Sequence, residues 1–445
     1  MPAPAHKRPR VLAIAEAANP EWVSVPLVGW SLAEALREVA DVHLVTQIRN
    51  RDAILRAGWV EGRDFTAIDS EAVARPLWAL AENLRMGEGK GWTTLQAFSA
   101  LIYPWFEHLV WKEFGAAISA GDFDVVHRIT PLSPTIASPI ARKIQKAGVP
   151  FVLGPLNGGV PWPVHFDAER RAEKEWLSYL RSAYKHLPGR SSTLKNASAI
   201  LVGSRYTQSE IPAQYQDRTV YIPENGINPD RFNATAHPAD DVLRACFVGR
   251  LVPYKGADML IAAAAGLLRA GRMKLDIIGD GPMMEELETM VKDLGCESSV
   301  TLHGWVPHKQ VQKRLAQSHV LSFPSIREFG GGVVLEAMAL GVVPIIVDYA
   351  GPGELVTPNT GVKIPCGTRS EIVAGFRDTL TSLAANPSQL RSKAKAAQAH
   401  VHSHFLWSRK AEQISEVYNW ISSKDRSRKP EAFSPPATNV AARSA

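Results

Sequence analysis

Cysteine is scarce: Cys246, Cys296 and Cys366 are the three in 445 residues, far apart and without C-x-x-C spacing. That excludes a disulfide framework or a cysteine-based zinc site, and a reducing compartment fits. Long apolar runs are also lacking. The nearest, AFSALIYPWFEHLVW, is cut by Pro104, Glu107 and His108, well short of the roughly 18 apolar residues that cross a bilayer. Near the start, Lys7, Arg8 and Arg10 precede only VLAIA before Glu16, the pattern of a first strand and not of a signal peptide. Charge of one sign is not concentrated either. The net charge is +6, with no basic stripe interleaved with aromatics, so no nucleic-acid partner is expected. No G-x-G-x-x-G follows a strand-like run, and the Gly249–Lys255 stretch lacks the G-K-[ST] ending of a phosphate loop, which argues against a dehydrogenase and a P-loop NTPase.

What is present is an apolar share of 45%, enough for two or three domains with their own cores. Short β-branched runs alternate with helical stretches: VLAIA, VHLVT, DVVHRI, PFVLG and AILVGS first, then ACFVGRL, KLDIIGD, VTLHGW, HVLSFPS, VVPIIV and GVKIP. This alternation predicts an α/β chain of two doubly wound Rossmann-like domains facing a cleft, with ligands at the carboxyl ends of parallel strands. The first helix is expected from about Ser31 to Val39. The domains expected are 9–222 and 223–403, joined by the Pro-, Gly- and Asn-rich PENGINPD. A helix over 404–422, with Trp407, Ile414, Val417 and Trp420 on its apolar side, is expected to return to the first domain. Residues 423–445 read as a disordered tail. Between about Arg75 and Phe114, Trp78, Trp92, Trp105 and Trp111 accompany Arg85, Lys90 and Lys112. Core packing, an acceptor groove and contact with an anionic membrane surface all fit that composition. The 166–195 stretch reads as a charged, solvated helix.

The chemistry concentrates in IREFGGGVVLEAMALGVVPII. Gly330, Gly331 and Gly332 bring bare amides close to a ligand, and the helix they open favours an anion. Glu328 and Glu336 would repel a diphosphate, so they suit the neutral hydroxyls on either side of one: a sugar and a ribose. Arg250, at the tip of ACFVGRL, and Lys255, at the start of the next helix, supply two cations for the same diphosphate. The plain reading of each alone is a surface residue.

FVGRLVPYKG, IIGDGP, VTLHGWV, the Glu328–Glu336 pair with LEAMALG, and AGPGELV occur in this order and resemble the signature set of retaining glycosyltransferases of family 4, with the GT-B fold. The resemblance implies that Arg250 and Lys255 hold the donor diphosphate, that Glu328 accepts from donor-sugar hydroxyls and Glu336 from the ribose, and that the amides of Phe329, Gly330 and Gly331 lie along sugar and phosphates. It implies a close backbone approach at Gly29, a place for His127 at a strand end near the reacting centre, and base contacts near Gly304, Trp305 and Val306. The family's E-G-F-G-L reads E-F-G-G-G here, and Ile129 stands where a second histidine is often found. The reaction implied moves a sugar from a UDP- or GDP-sugar to a glycan or lipid-linked acceptor with retained configuration. With no Asp-x-Asp flanking the cleft segments and no cofactor implied, a metal-independent cytoplasmic enzyme of cell-surface polysaccharide assembly is expected, at the inner face of the membrane. The alternatives are an epimerase of the same fold, which needs no acceptor, and a non-catalytic binding module.

Overall fold

The computed structural model describes residues 8–76, 92–172, 188–236, 238 and 242–431. They form two compact units: one built from residues up to 159, 170–224 and 407–431, the other from 160–169 and 225–406.

The first unit holds a seven-stranded sheet of β1 (Arg10–Ala15), β2 (Asp41–Gln47), β3 (Phe65–Ile68), β4 (Val125–Thr130), β5 (Phe151–Leu156), β6 (Ala199–Val202) and β7 (Thr219–Tyr221), in the order β3-β2-β1-β4-β5-β6-β7. The second holds β8 (Leu243–Val248), β9 (Met273–Ile278), β10 (Val300–Leu302), β11 (Val320–Phe323), β12 (Val343–Asp348) and β13 (Val362–Pro365), in the order β10-β9-β8-β11-β12-β13. Every pairing between neighbouring strands is parallel. Helices cover both faces of such sheets, so the strands are continuous apolar runs: Val11, Leu12, Ala13, Ile14 and Ala15 are all fully buried. In each sheet the strand order reverses beside the first strand, at β1/β4 and at β8/β11. Loops leaving the carboxyl ends of those two strands diverge, which opens a crevice.

The helix Trp407–Ser422 belongs to the first unit. Ala411, Ile414, Val417, Tyr418 and Ile421 are buried in its core with Trp30 and Leu36, while Trp407 and Trp420 pack at the edge, partly buried. Lys410 of the same helix is buried and donates to the Pro223 carbonyl. Burial lowers its pKa to about 7, opposed by the nearby Glu224.

Several expectations change. The first helix runs Val25–Leu36, beginning earlier than expected because Pro26 sits comfortably in a first turn. Residues 423–431 are not loose: Trp420 Nε1 donates to the Arg426 carbonyl at 3.1 Å, and Lys429 Nζ to the carbonyls of Gln216 and Thr219, each at 3.1 Å. Side-chain bonds to backbone hold them where composition promised little apolar anchorage; residues 432–445 lie outside the described ones. Residues 160–169, expected in the first domain, belong to the second unit. Of the tryptophan-rich stretch, Trp78, Arg85 and Lys90 and the side chain of Trp92 lie outside the described residues. Trp111 is half-buried against Gly115, with Lys143 Nζ 5.3 Å from its ring, and Trp105 stacks on His108. Among the described residues no helix is long and apolar enough to cross a membrane.

Candidate functional site

The second sheet's switch point gathers most of the residues singled out above. β8 is followed by Gly249 and Arg250, and the chain turns through the 3₁₀ turn Pro253–Lys255 into the helix Ala257–Arg269. Its neighbour β11 ends in the loop that carries Glu328 to Gly331, and the helix Gly332–Leu340 follows. The two loops meet where Lys255 Nζ donates to a carboxylate oxygen of Glu328. The Lys255 side chain is 15% exposed and that of Glu328 22%, so ligand can reach a pair that bulk water does not dissolve. Lys255 Nζ also lies 5.2 Å from the Phe323 ring centroid, an apolar wall behind the cation.

The glycine-rich loop is shaped by a second close approach. A Cβ on Gly351 would come within 2.1 Å of the Phe329 carbonyl oxygen, and the Gly351 amide donates to the Glu328 carbonyl at 3.2 Å. AGPGELV therefore buttresses the loop from behind. Gly331, at φ 63°, caps the helix Gly332–Leu340 in the left-handed conformation that a side chain would strain. Arg327, just before Glu328, is buried with its guanidinium carbon 4.8 Å from the Trp162 ring and 5.2 Å from the Phe329 ring.

Glu336 lies on that helix, and its Oε1 is 3.0 Å from His308 Nε2. Arg250 is exposed, its carbonyl accepts from the Val252 amide at 3.0 Å, and its side chain has no hydrogen-bond or ion-pair partner among the described residues. The structure thus brings Lys255, Glu328, Phe329, Gly330 and Gly331 together, puts Glu336 on the helix they open, and leaves Arg250 on the adjoining strand tip. Gly304, at φ 64°, already spends its carbonyl on the Gly279 amide at 2.9 Å, and beside it Trp305 is 73% exposed.

His127 is not at a strand end. It sits inside β4, fully buried, with Nε2 2.7 Å from the Gly154 carbonyl and Nδ1 2.6 Å from the Tyr418 hydroxyl. A carbonyl only accepts, so Nε2 carries the proton and Nδ1 accepts from Tyr418. Burial lowers its pKa to about 4, against the opposing Gly154 bond. A ring saturated on both nitrogens ties the sheet to the C-terminal helix. Gly29 does not precede its helix but lies within Val25–Leu36, and a Cβ there would meet the Ala17 carbonyl at 2.1 Å. Close packing of helix on loop suffices to require glycine. Sequence reasoning missed Trp162, Arg327 and His308.

Two Rossmann-like units in one chain, the second with an anion-suited loop at its switch point, define the GT-B class. Residues 232–385 match the family model described as Glycosyl transferases group 1. Among curated relatives, it is 26% identical over 346 residues to the GDP-mannose-dependent alpha-(1-6)-phosphatidylinositol monomannoside mannosyltransferase of Mycolicibacterium smegmatis, covering 69% of this chain and 87% of the relative. It is 25% identical over 222 residues to the alpha-D-kanosaminyltransferase of Streptomyces kanamyceticus, 48% of this chain and 56% of that one. The chain spans about half the length of several of the relatives it matches. Solved structures with the same fold include a glycosyltransferase from Rickettsia africae, with TM-score 0.63 at 15% identity over 94% of this chain and 100% of that one. Another is Anabaena HepE in complex with UDP and glucose, with TM-score 0.60 at 16% identity over 93% and 100%.

Proposed function

We propose that this chain is a retaining, metal-independent hexosyltransferase that moves a sugar from a UDP- or GDP-sugar to a glycan or lipid-linked acceptor. The observation that carries the reading is the contact of Lys255 with Glu328 at the mouth of a glycine-rich loop. The cation and the carboxylate neutralise each other. A donor diphosphate offers Lys255 a stronger anionic partner, and Glu328 is then released to accept from sugar hydroxyls. Arg250, exposed on the neighbouring strand tip, has its charge available for the same phosphates. As the bond between the sugar's C1 and the β-phosphate oxygen breaks, its electron pair passes to the nucleoside diphosphate, while the acceptor oxygen bonds C1 on the same face and its hydroxyl proton passes to the departing phosphate oxygen. Negative charge grows on the departing phosphate, so Lys255, Arg250 and the amides of Phe329, Gly330 and Gly331 stabilise the transition state more than the ground state. Glu336 takes the ribose.

The family-model match over residues 232–385, a GDP-mannose-dependent relative and a similar fold solved with UDP support UDP and GDP as the nucleotides to try first. Work at the cytoplasmic face of a membrane, in cell-surface polysaccharide assembly, fits a lipid-linked acceptor. A thermal-shift panel of nucleotide sugars tests donor binding, since a ligand far above its dissociation constant raises stability by about 3 kcal/mol. Turnover in EDTA, with the product's anomeric configuration read by NMR, tests the rest. Stabilisation by no nucleotide sugar sinks the reading, and conversion of donor without acceptor redirects it to an epimerase.

A further inference from the structure

Glu336 does not stand alone on its helix. The crossing segment PENGINPDRF turns at Asn228, whose carbonyl accepts from the amides of Arg231 at 3.1 Å and Phe232 at 3.2 Å. That turn sends both side chains to one imidazole. Arg231 Nη2 reaches His308 Nδ1 at 2.6 Å, and the Phe232 ring meets the edge of the same imidazole with centroids 6.0 Å apart. His308 opens the helix His308–Leu315 and presents its other nitrogen, Nε2, to Glu336 Oε1 at 3.0 Å. The side chains of His308 and Glu336 are 24% and 16% exposed.

The donors and acceptors fix the tautomer. A guanidinium only donates, so Nδ1 must accept and the ring's proton resides on Nε2, aimed at the carboxylate. Glu336 is thereby held through one oxygen, leaving Oε2 to face a ligand. A glutamate free to rotate would lose that freedom on binding; one already tied has lost it on folding.

We propose that His308, oriented by Arg231, is a positioning residue that presents Glu336 to the ribose hydroxyls of the donor, so that the site selects ribonucleoside diphosphates through the Arg231–His308 pair. The inference rests on the proposed reading of Glu336. Neither residue touches the ligand: His308 sets the carboxylate, and the carboxylate meets the diol.

The test measures Kd by calorimetry for UDP and 2′,3′-dideoxy-UDP, and for the matching GDP pair, with the wild type, His308→Leu and His308→Gln. Removal of the diol should weaken binding to the wild type by about tenfold or more, as expected for hydrogen bonds to a charged group. In His308→Leu that penalty should shrink to within about threefold, because the untethered carboxylate no longer meets the diol. Gln places an amide N–H where Nε2–H was and should restore it. Should His308→Leu misfold, as read by its thermal transition, Arg231→Met loses the same orientation and takes its place. An unchanged dideoxy penalty in the variant overturns the role of His308, as does a wild type that binds both sugars of a pair equally. A wild type that binds neither UDP nor GDP overturns the nucleotide-sugar reading itself, and this inference with it.

Discussion

The guanidinium of Arg327 lies against the indole of Trp162, 4.8 Å from its centroid, although 165 positions of chain separate them. Trp162 also meets the Tyr254 ring edge-on at 5.8 Å, and the neighbouring Pro161 carbonyl accepts from the Tyr349 hydroxyl at 2.8 Å. A short stretch from the first half of the sequence is thus fastened to three loops of the second unit, around Glu328. Trp162→Ala should lower kcat/KM for donor turnover by roughly threefold to thirtyfold, the range from an exposed to a desolvated cation–π contact. Trp162→Phe, which keeps a ring face, should lose less. Equal losses in the two variants would show that the ring is not what braces the loop.

Lys255→Ala should lower turnover by about two to three orders of magnitude, because it removes the cation closest to Glu328 and leaves that carboxylate facing a diphosphate unpaired. Single-turnover kinetics with saturating donor would separate the chemical step from binding. Near-normal turnover would remove Lys255 from the mechanism.

Gly351→Ala introduces one methyl group where the Phe329 carbonyl oxygen is 2.1 Å away. The loop must shift or the helix behind it must, at a cost of about 1–3 kcal/mol for overpacking. The expected result is a large rise in donor Kd with the overall fold kept, measured by calorimetry beside circular dichroism.

His127 gives a pH dependence of definite sign. Its ordinary value of 6.5 falls to about 4 in the folded protein through burial, so below pH 6.5 the unfolded chain takes up the proton first. The contribution to stability is whole above 6.5, declines as pH falls towards 4 and levels off below, amounting to roughly 3 kcal/mol. Urea denaturation between pH 4 and 8 should show a shallower acid decline in His127→Asn than in the wild type. Glu16 and Glu107, whose buried carboxyls are raised, act in the opposite direction and are common to both proteins. Parallel pH curves would remove His127 as the source.

The two parallel sheets could be read from the sequence because strands buried on both faces leave runs such as VLAIA and VVPIIV, and the glycine-rich loop because three consecutive glycines stand before an apolar helical stretch. The position of His127 could not: all six residues of β4 are buried, so no alternation marks where the strand ends. The link from His308 to Glu336 spans 28 positions and depends on how two helices pack. Trp162 was invisible as a site residue for a different reason, since proximity in sequence argued for the first domain. Arg250 and Lys255 were placed by rules that hold at any switch point; which of them meets Glu328 was settled only by rotamers.

The return of Trp407–Ser422 to the first unit has a bearing on biosynthesis. When residue 224 has left the ribosome, the sheet it completes still lacks Ile414, Val417 and Ile421 against Trp30, and His127 still lacks the hydroxyl of Tyr418. The part translated first therefore waits with an open apolar face until the part translated second is made, and only the last helix lets it close. A nascent chain arrested before that helix emerges should be held by chaperones and cut by proteases in its earlier half.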